Sequence, residues 1–414
     1  MPHTIKRVVG REILDSRGNP TLEVDILLRG GIWGRASVPA GASKGIHEAV
    51  ELRDGGKRYS GLGVRKAISK LKTIEKSLKG MQVEHQAEID GVMNILDGHN
   101  HKKKLGANTT LGVSLACARA AALANHKVLH EYLGKGNKLP VPCCNVINGG
   151  IHAGNNLQMQ EFLLVPYKIS SFKERMRAVA ESYHALKKVI EKKHGKNAIN
   201  VGDEGGFAPP ISTAEEALDL MEKAVRQAGY SGKMRYAIDA AASEFYVKGR
   251  YKVTSYSPYT SDHMIDYYKD LVKNYKVVSV EDPFAQDDFE SWKLFTKKMK
   301  IQIVGDDLLV TNPARIKMAV EEKLCNALLL KVNQIGTLTE AMDAANLAKK
   351  AGWNIMISHR SGETCDDFIA DLAVAIEAGQ IKAGAPCRGE RLAKYNQLLR
   401  IEEQRNTYKR KRAR

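Results

Sequence analysis

Two hydrophobic rhythms run along the chain. Between Ile5 and about Gly30 polar and apolar residues alternate, most plainly at Thr21-Leu22-Glu23-Val24-Asp25-Ile26. A period of two puts successive side chains on opposite faces of a strand. A glycine-rich loop, Val38-Pro39-Ala40-Gly41-Ala42-Ser43-Lys44-Gly45, follows, and then helical patterns over 64–78, 82–97 and 111–133. Strands first and helices after predict a small α+β domain. Past Pro140 short apolar runs at 162–166, 198–201, 235–238, 277–280, 302–304, 327–330, 354–357 and 380–381 alternate with amphipathic helices. In the helix predicted over 214–228, Thr213 and Glu216 form a capping box and Gly229 is a stop; Thr337, Glu340 and Gly352 repeat the arrangement around 338–351. Recurring β-α units predict parallel strands joined by crossover helices, as a closed barrel or an open doubly wound sheet. Eight strands over about 270 residues favour the barrel. The expected organisation is an α+β domain over 1–135, a β/α barrel over 136–404, and a basic tail over 405–414.

Composition narrows the class. The 414 residues are 43% hydrophobic and 27% charged, enough to bury a large core, which excludes a wholly disordered chain. No apolar run approaches the ~20 residues of a membrane span, and Met1-Pro2-His3-Thr4-Ile5-Lys6-Arg7 leads into no apolar signal core. The six cysteines make no CxxC pair and no zinc-like spacing with histidine, so reduced structural thiols in a cytoplasm are expected. Sixty-four Lys and Arg oppose 47 Asp and Glu, a net charge of +17 that favours anionic partners: nucleic acid, phosphorylated metabolites or acidic proteins. Six of those bases, with no acid, fall between Arg405 and Arg414.

Candidate chemistry follows the strands. Glu161 precedes one run; Asp203-Glu204, Asp239, Glu281-Asp282, Asp306-Asp307, Lys331, His359-Arg360-Ser361 and Lys382 follow others. One carboxylate after a strand is ordinarily a helix cap or a solvated loop residue. A reactive group on several successive β-α units argues for one shared mouth. Asp239, Glu281 and Asp306 offer three hard oxygen ligands of the kind Mg²⁺ takes, where zinc would want His or Cys; solvated loop acids are the alternative. Lys331 ends the apolar run Ala327-Leu328-Leu329-Leu330. Desolvation beside Mg²⁺ and Lys382 is expected to favour its neutral amine, a base; a lysine snorkelling to water is the alternative.

Five segments carry a resemblance. Asp15-Ser16-Arg17-Gly18-Asn19-Pro20-Thr21, Val201-Gly202-Asp203-Glu204-Gly205-Gly206, Leu328 to Gly336, Ser358-His359-Arg360-Ser361-Gly362-Glu363-Thr364 and Arg391 to Glu403 resemble enolase signatures, in order, over nearly the whole chain. The resemblance implies a capping domain on an enolase-type TIM-like β/α barrel and phosphopyruvate hydratase activity, 2-phosphoglycerate to phosphoenolpyruvate and water. It implies Lys331 as the base, Glu204 as the acid with Glu161 assisting, and Asp239, Glu281 and Asp306 on a first Mg²⁺. A second Mg²⁺ would join the substrate to Ser43. Arg360 and Ser361 match phosphate positions, His359 belongs to the same motif, Lys382 sits near the carboxylate, and Gln160 and His152 belong to the site and its closing loop. A homodimer or higher homo-oligomer is implied as well.

The chain departs from the family pattern at Ala40 and Lys44, where Ser and Thr are usual, and at Cys365, where an acid is common. Two other classes compete. A related superfamily enzyme would racemise or cycloisomerise another carboxylate, but the Arg360-Ser361 pair, the Glu161/Glu204 pair and the Ser43 loop favour dehydration. A nucleic-acid or acidic-surface binder would use the tail and Lys102-Lys103-Lys104, yet no RNA-reading motif accompanies them, and charge runs usually are solvated faces.

Overall fold

A computed structural model describes residues 2–42, 45–253 and 258–412, with side chains through residue 407; Ser43 and Lys44 lie outside the described residues. Residues 5–37 build an antiparallel sheet of β1 (Ile5–Leu14), β2 (Pro20–Leu28) and β3 (Trp33–Ser37), in that order. Helices α1 (Arg65–Leu78), α2 (Gln86–Asp97), α3 (Ala107–Ala124) and α4 (Leu129–Leu133) follow, so the pattern expected as one helix over 111–133 is two. The break falls at Asn125-His126, where His126 takes a positive φ of 51°. Helix α3 is the central element: nearly all of it is buried, against β2 and β3. Small residues permit that approach, since a Cβ on Gly34 would lie 2.3 Å from the Ala116 carbonyl oxygen.

The barrel closes from β4 (Val141–Asn148), β5 (Glu161–Pro166), β6 (Met234–Asp239), β9 (Val277–Glu281), β10 (Gln302–Gly305), β11 (Ala327–Leu330), β12 (Asn354–Ser358) and β13 (Gln380–Lys382). A small hairpin of β7 (Tyr246–Val247) and β8 (Arg250–Tyr251) sits between β6 and β9. Around the barrel run α5 (Phe172–His194), α6 (Ala214–Gln227), α7 (Ser261–Tyr275), α8 (Phe289–Lys298), α9 (Pro313–Glu322), the short α10 (Val332–Ile335), α11 (Leu338–Lys350), α12 (Phe368–Ala375) and α13 (Gly389–Arg412). The capping box of Thr213 and Glu216 is present on α6, and Thr337 accepts from the Glu340 amide at the start of α11.

Two expectations about the barrel are corrected. The run 198–201 is no barrel strand: Lys196–Ile199 is a 3-10 turn packed on α5. The strand in its place is β4, buried along almost its whole length on both faces, so it carries no alternation to read. The barrel is also not wholly parallel, because β5 runs antiparallel to both β4 and β6. The Lys102 ammonium is no solvated charge either; it is 2% exposed and paired with Glu340 at 2.8 Å. Among the described residues no helix is long and apolar enough to cross a membrane, and all six cysteines are unpaired.

Candidate active site

The pleat of the strands decides which residues meet. One apolar cluster fills the barrel interior: Cys143, Leu163, Val165, Ala237, Val304, Ala327, Leu329 and Met356. Two residues further toward the mouth, on the same face of each strand, come Asn145, Glu161, Asp239, Asp306, Lys331 and Ser358. Antiparallel β5 explains why Glu161 begins its strand while the other groups end theirs or follow them. Register holds neighbours level, with Glu161 opposite Asp239 and Asp239 opposite Glu281.

The predicted residues converge on one narrow cavity lined by His152, Gln160, Glu161, Glu204, Asp239, Lys331, His359, Arg360, Ser361 and Lys382. Glu281 and Asp306 reach it through the lysines. Lys382 Nζ lies 2.8 Å from Glu281 Oε1, 3.0 Å from Asp239 Oδ2 and 3.3 Å from Glu161 Oε2. Burial opposes the Lys382 charge, but these carboxylates outweigh it and its pKa rises. Lys331 Nζ lies 2.5 Å from Asp306 Oδ2. The neutral amine was expected beside Mg²⁺; the protein's own groups set a different starting point. Burial pulls that pKa down most strongly of any single cause, but Asp306, Glu281 and their neighbours together raise it, and without a bound cation the ammonium is favoured.

Asp239, Glu281 and Asp306 are buried hard-oxygen donors on neighbouring strands. Asp306 is held in place by Asp282, whose two oxygens accept the amides of Asp306 and Asp307, each at 2.8 Å. All three are hard oxygen donors of the kind Mg²⁺ takes, but among the described residues the acid groups whose ligand atoms come within 4.8 Å of one another are Asp282, Asp306 and Asp307, and Glu161 and Glu204 with His152.

Glu204 arrives by a loop, not a strand end. The Gly202 amide donates to the Gly206 carbonyl, Gly205 takes a φ of 85°, and the Ala385 amide donates to the Glu204 carbonyl at 2.9 Å. The carboxylate accepts from Asn145 Nδ2 at 3.1 Å and lies 3.4 Å from His359 Nε2. His152 Nδ1 stands 3.7 Å from both Glu161 and Glu204. Burial and the Glu204 charge push the Glu161 pKa well up. Burial would raise Glu204 too, while Arg391, and His359 and His152 when protonated, pull it down, which leaves Glu161 the stronger proton holder of the pair. Burial lowers His152, and lowers His359 to about 4, so both rings are neutral near pH 7.

The phosphate positions lie where loops from both parts of the chain touch. Ala40 and Gly362 exchange backbone hydrogen bonds at 2.8 Å, and the Ala42 amide donates to Ser361 Oγ at 2.7 Å. Arg17 Nη2 donates to the carbonyls of Ala40 and Gly41. Arg360 makes a two-pronged pair with Glu48, at 3.0 and 3.1 Å. Glu48, Asn145, Asn333 and Arg391 are parts of the site that the strand-end pattern misses; Asn333 and Arg391 lay inside recognised motifs, without a role. Ser43 lies outside the described residues.

Comparison with known proteins agrees with this geometry. The family model "Enolase, N-terminal domain" matches residues 5–133, and "Enolase, C-terminal TIM barrel domain" matches 136–411. Curated relatives named enolase include that of Methanocaldococcus jannaschii, 54% identical over 403 residues, and that of Pyrococcus furiosus, 55% identical over 412. The enolase of Thermococcus kodakarensis is 54% identical over 412 residues. Each of these alignments covers 97% of this chain and 95% of the relative. The chain belongs to the enolase family.

Proposed function

We propose how these residues share the enolase reaction, the reversible dehydration of 2-phospho-D-glycerate to phosphoenolpyruvate that the chain carries out as a phosphopyruvate hydratase. Lys331 Nζ takes the proton from the carbon beside the substrate carboxylate. That proton is a poor acid, because its loss piles charge on a group already negative. Lys331 must first shed its own proton, which Asp306 favours; engaging Asp306 with a cation removes that pull. Asp239, Glu281 and Asp306 would hold the first Mg²⁺, and Ser43 would help to hold a second. When bound, the metal supplies positive charge against the carboxylate as it grows more negative.

The C–O bond at the next carbon then breaks, and Glu204 gives the departing hydroxyl the proton that makes it water. Glu161, with the higher proton affinity of the pair, is the reserve that recharges Glu204. Arg360 and Ser361 grip the phosphate, Lys382 supplies charge near the carboxylate, and Gln160, His152 and His359 complete the walls. The observation that carries this assignment is the pair of buried polar atoms on cavity-lining residues without a hydrogen-bond partner among the described residues: Gln160 Oε1 and His152 Nδ1. Such atoms cost free energy unless a ligand or water meets them.

The test is turnover followed by the ultraviolet absorbance of the new double bond. Mg²⁺-dependent activity that a chelator removes and Lys331→Ala abolishes is expected; undiminished turnover in that variant sinks the base assignment. The same reading brings a homodimer in the cytoplasm, built from an α+β domain over 1–135, a barrel over 136–404 and a tail over 405–414. It leaves nucleic acid or an acidic surface as a secondary partner of that tail. Light scattering of the purified chain reads the oligomer, and salt-dependent RNA retention by the full chain and by one ending at Gln404 reads the tail.

A further inference from the structure

Arg391 has no accessible surface, yet it sits on the first turn of α13 directly behind the site. Its Nη1 lies 2.6 Å from His359 Nδ1 and donates to the Arg360 carbonyl at 2.5 Å. Its Nη2 donates to the carbonyls of Ser361 at 2.6 Å and Asp203 at 3.1 Å. One guanidinium therefore ties together the residue before Glu204, both phosphate-gripping residues and the ring beside Glu204. Gly384, at a φ of 80°, makes room: a Cβ there would lie 2.9 Å from Arg391 Cδ and 2.8 Å from the Glu204 carbonyl oxygen.

A guanidinium has only donors. Opposite it, His359 Nδ1 must be the nitrogen with the lone pair, so the neutral ring carries its proton on Nε2, 3.4 Å from Glu204 Oε2. We propose that Arg391 is a positioning residue for the dehydration, locking His359 as the neutral Nε2–H tautomer so that Glu204 faces a hydrogen-bond donor rather than a cation. This inference rests on Glu204 being the acid. A charged imidazolium there would hold Glu204 ionised and unable to donate. The groups that bear on His359 are Glu204 from its loop, Arg391 from α13 and Glu363 from its own loop, the last paired with Lys394 at 2.6 Å. Burial, and then Arg391 against the pull of the two carboxylates, agree with a ring that resists protonation.

Two measurements test the lock. Long-range ¹H–¹⁵N correlation spectra of the intact histidine-labelled chain, with His359→Gln as the assignment control, read the tautomer directly. A protonated Nε2, an unprotonated Nδ1 and no titration above about pH 5 are expected; a proton on Nδ1, or titration near the free value of about 6.5, overturns the proposal. That arm needs no variant at position 391. In Arg391→Gln, kcat should fall about tenfold between pH 8 and pH 5.5, with a midpoint near 6.5 that the native chain lacks. Residual activity with the native pH profile means that Arg391 only supports the fold, and overturns the proposal. Full turnover by Glu204→Gln would instead remove the acid assignment and leave the measured tautomer standing.

Discussion

His359 shows how much one neighbour changes a side chain. Its pKa is lowered to about 4 by burial, with Arg391 adding to the effect, whereas an unfolded histidine titrates near 6.5. As pH falls through that interval the unfolded chain takes up a proton that the folded one refuses, so this group's contribution to stability declines. Buried acids such as Asp307, raised to about 8, chiefly by burial and by Asp306, act in the opposite direction, which makes the net slope uninformative. The useful quantity is a difference. The stability gap between the native chain and His359→Gln, from urea midpoints, should move against the native chain by about 3 kcal/mol between pH 7 and pH 4. A constant gap would mean that the ring is not held neutral. Glu48 offers a second residue-level test, since both Nη atoms of Arg360 rest on it. Glu48→Ala strands a buried guanidinium, and a loss of about 3 kcal/mol or more in unfolding free energy is expected without substrate.

Elements differ in how plainly the sequence announces them. The strand at 327–330 and the helices 214–228 and 338–351 were legible because their apolar spacing and end signals agree, and the caps on Thr213 and Thr337 are found where the spacing puts them. Strand β4 was not. Pro142, two cysteines and two asparagines interrupt its apolar character, and burial on both faces removes the period of two. The antiparallel direction of β5 was equally hidden, because alternation reads the same in either direction. Groups at strand ends were therefore legible, while Arg391 in a helix and Glu48 in a loop were not: their partners lie 32 and 312 positions away. Close packing is testable at this scale too. In Gly34→Ala the new methyl meets backbone atoms of α3 at 2.3 and 2.4 Å, which cannot yield as a side-chain tip would. The urea midpoint should drop by the equivalent of about 1–3 kcal/mol, and an unchanged midpoint would mean that the sheet and α3 can part freely.

For the molecule as a whole, charge falls into two classes. Near the cavity, Lys331, Lys382 and Arg360 are buried against carboxylates; most of the +17 excess is elsewhere. Since Asp239, Glu281 and Asp306 outnumber the two lysines that meet them, a divalent cation should bind the folded chain far better than the unfolded one. A concentration of Mg²⁺ one hundred times its dissociation constant then adds about 2.7 kcal/mol. The melting temperature should rise with Mg²⁺ and fall back with chelator; no shift would count against the ligand set. Removal of the residues after Gln404 should leave kcat/KM unchanged, because the cavity uses none of them.

The place of Arg391 in the chain has a consequence for synthesis. A ribosome finishes the last barrel strand at Lys382, when every group that touches the cavity has been made. The clamp on the Asp203, Arg360 and Ser361 carbonyls comes nine residues later, and α13 must still be laid against the barrel to deliver it. A nascent chain thus holds every group of the cavity before Arg391 is there to tie their loops together.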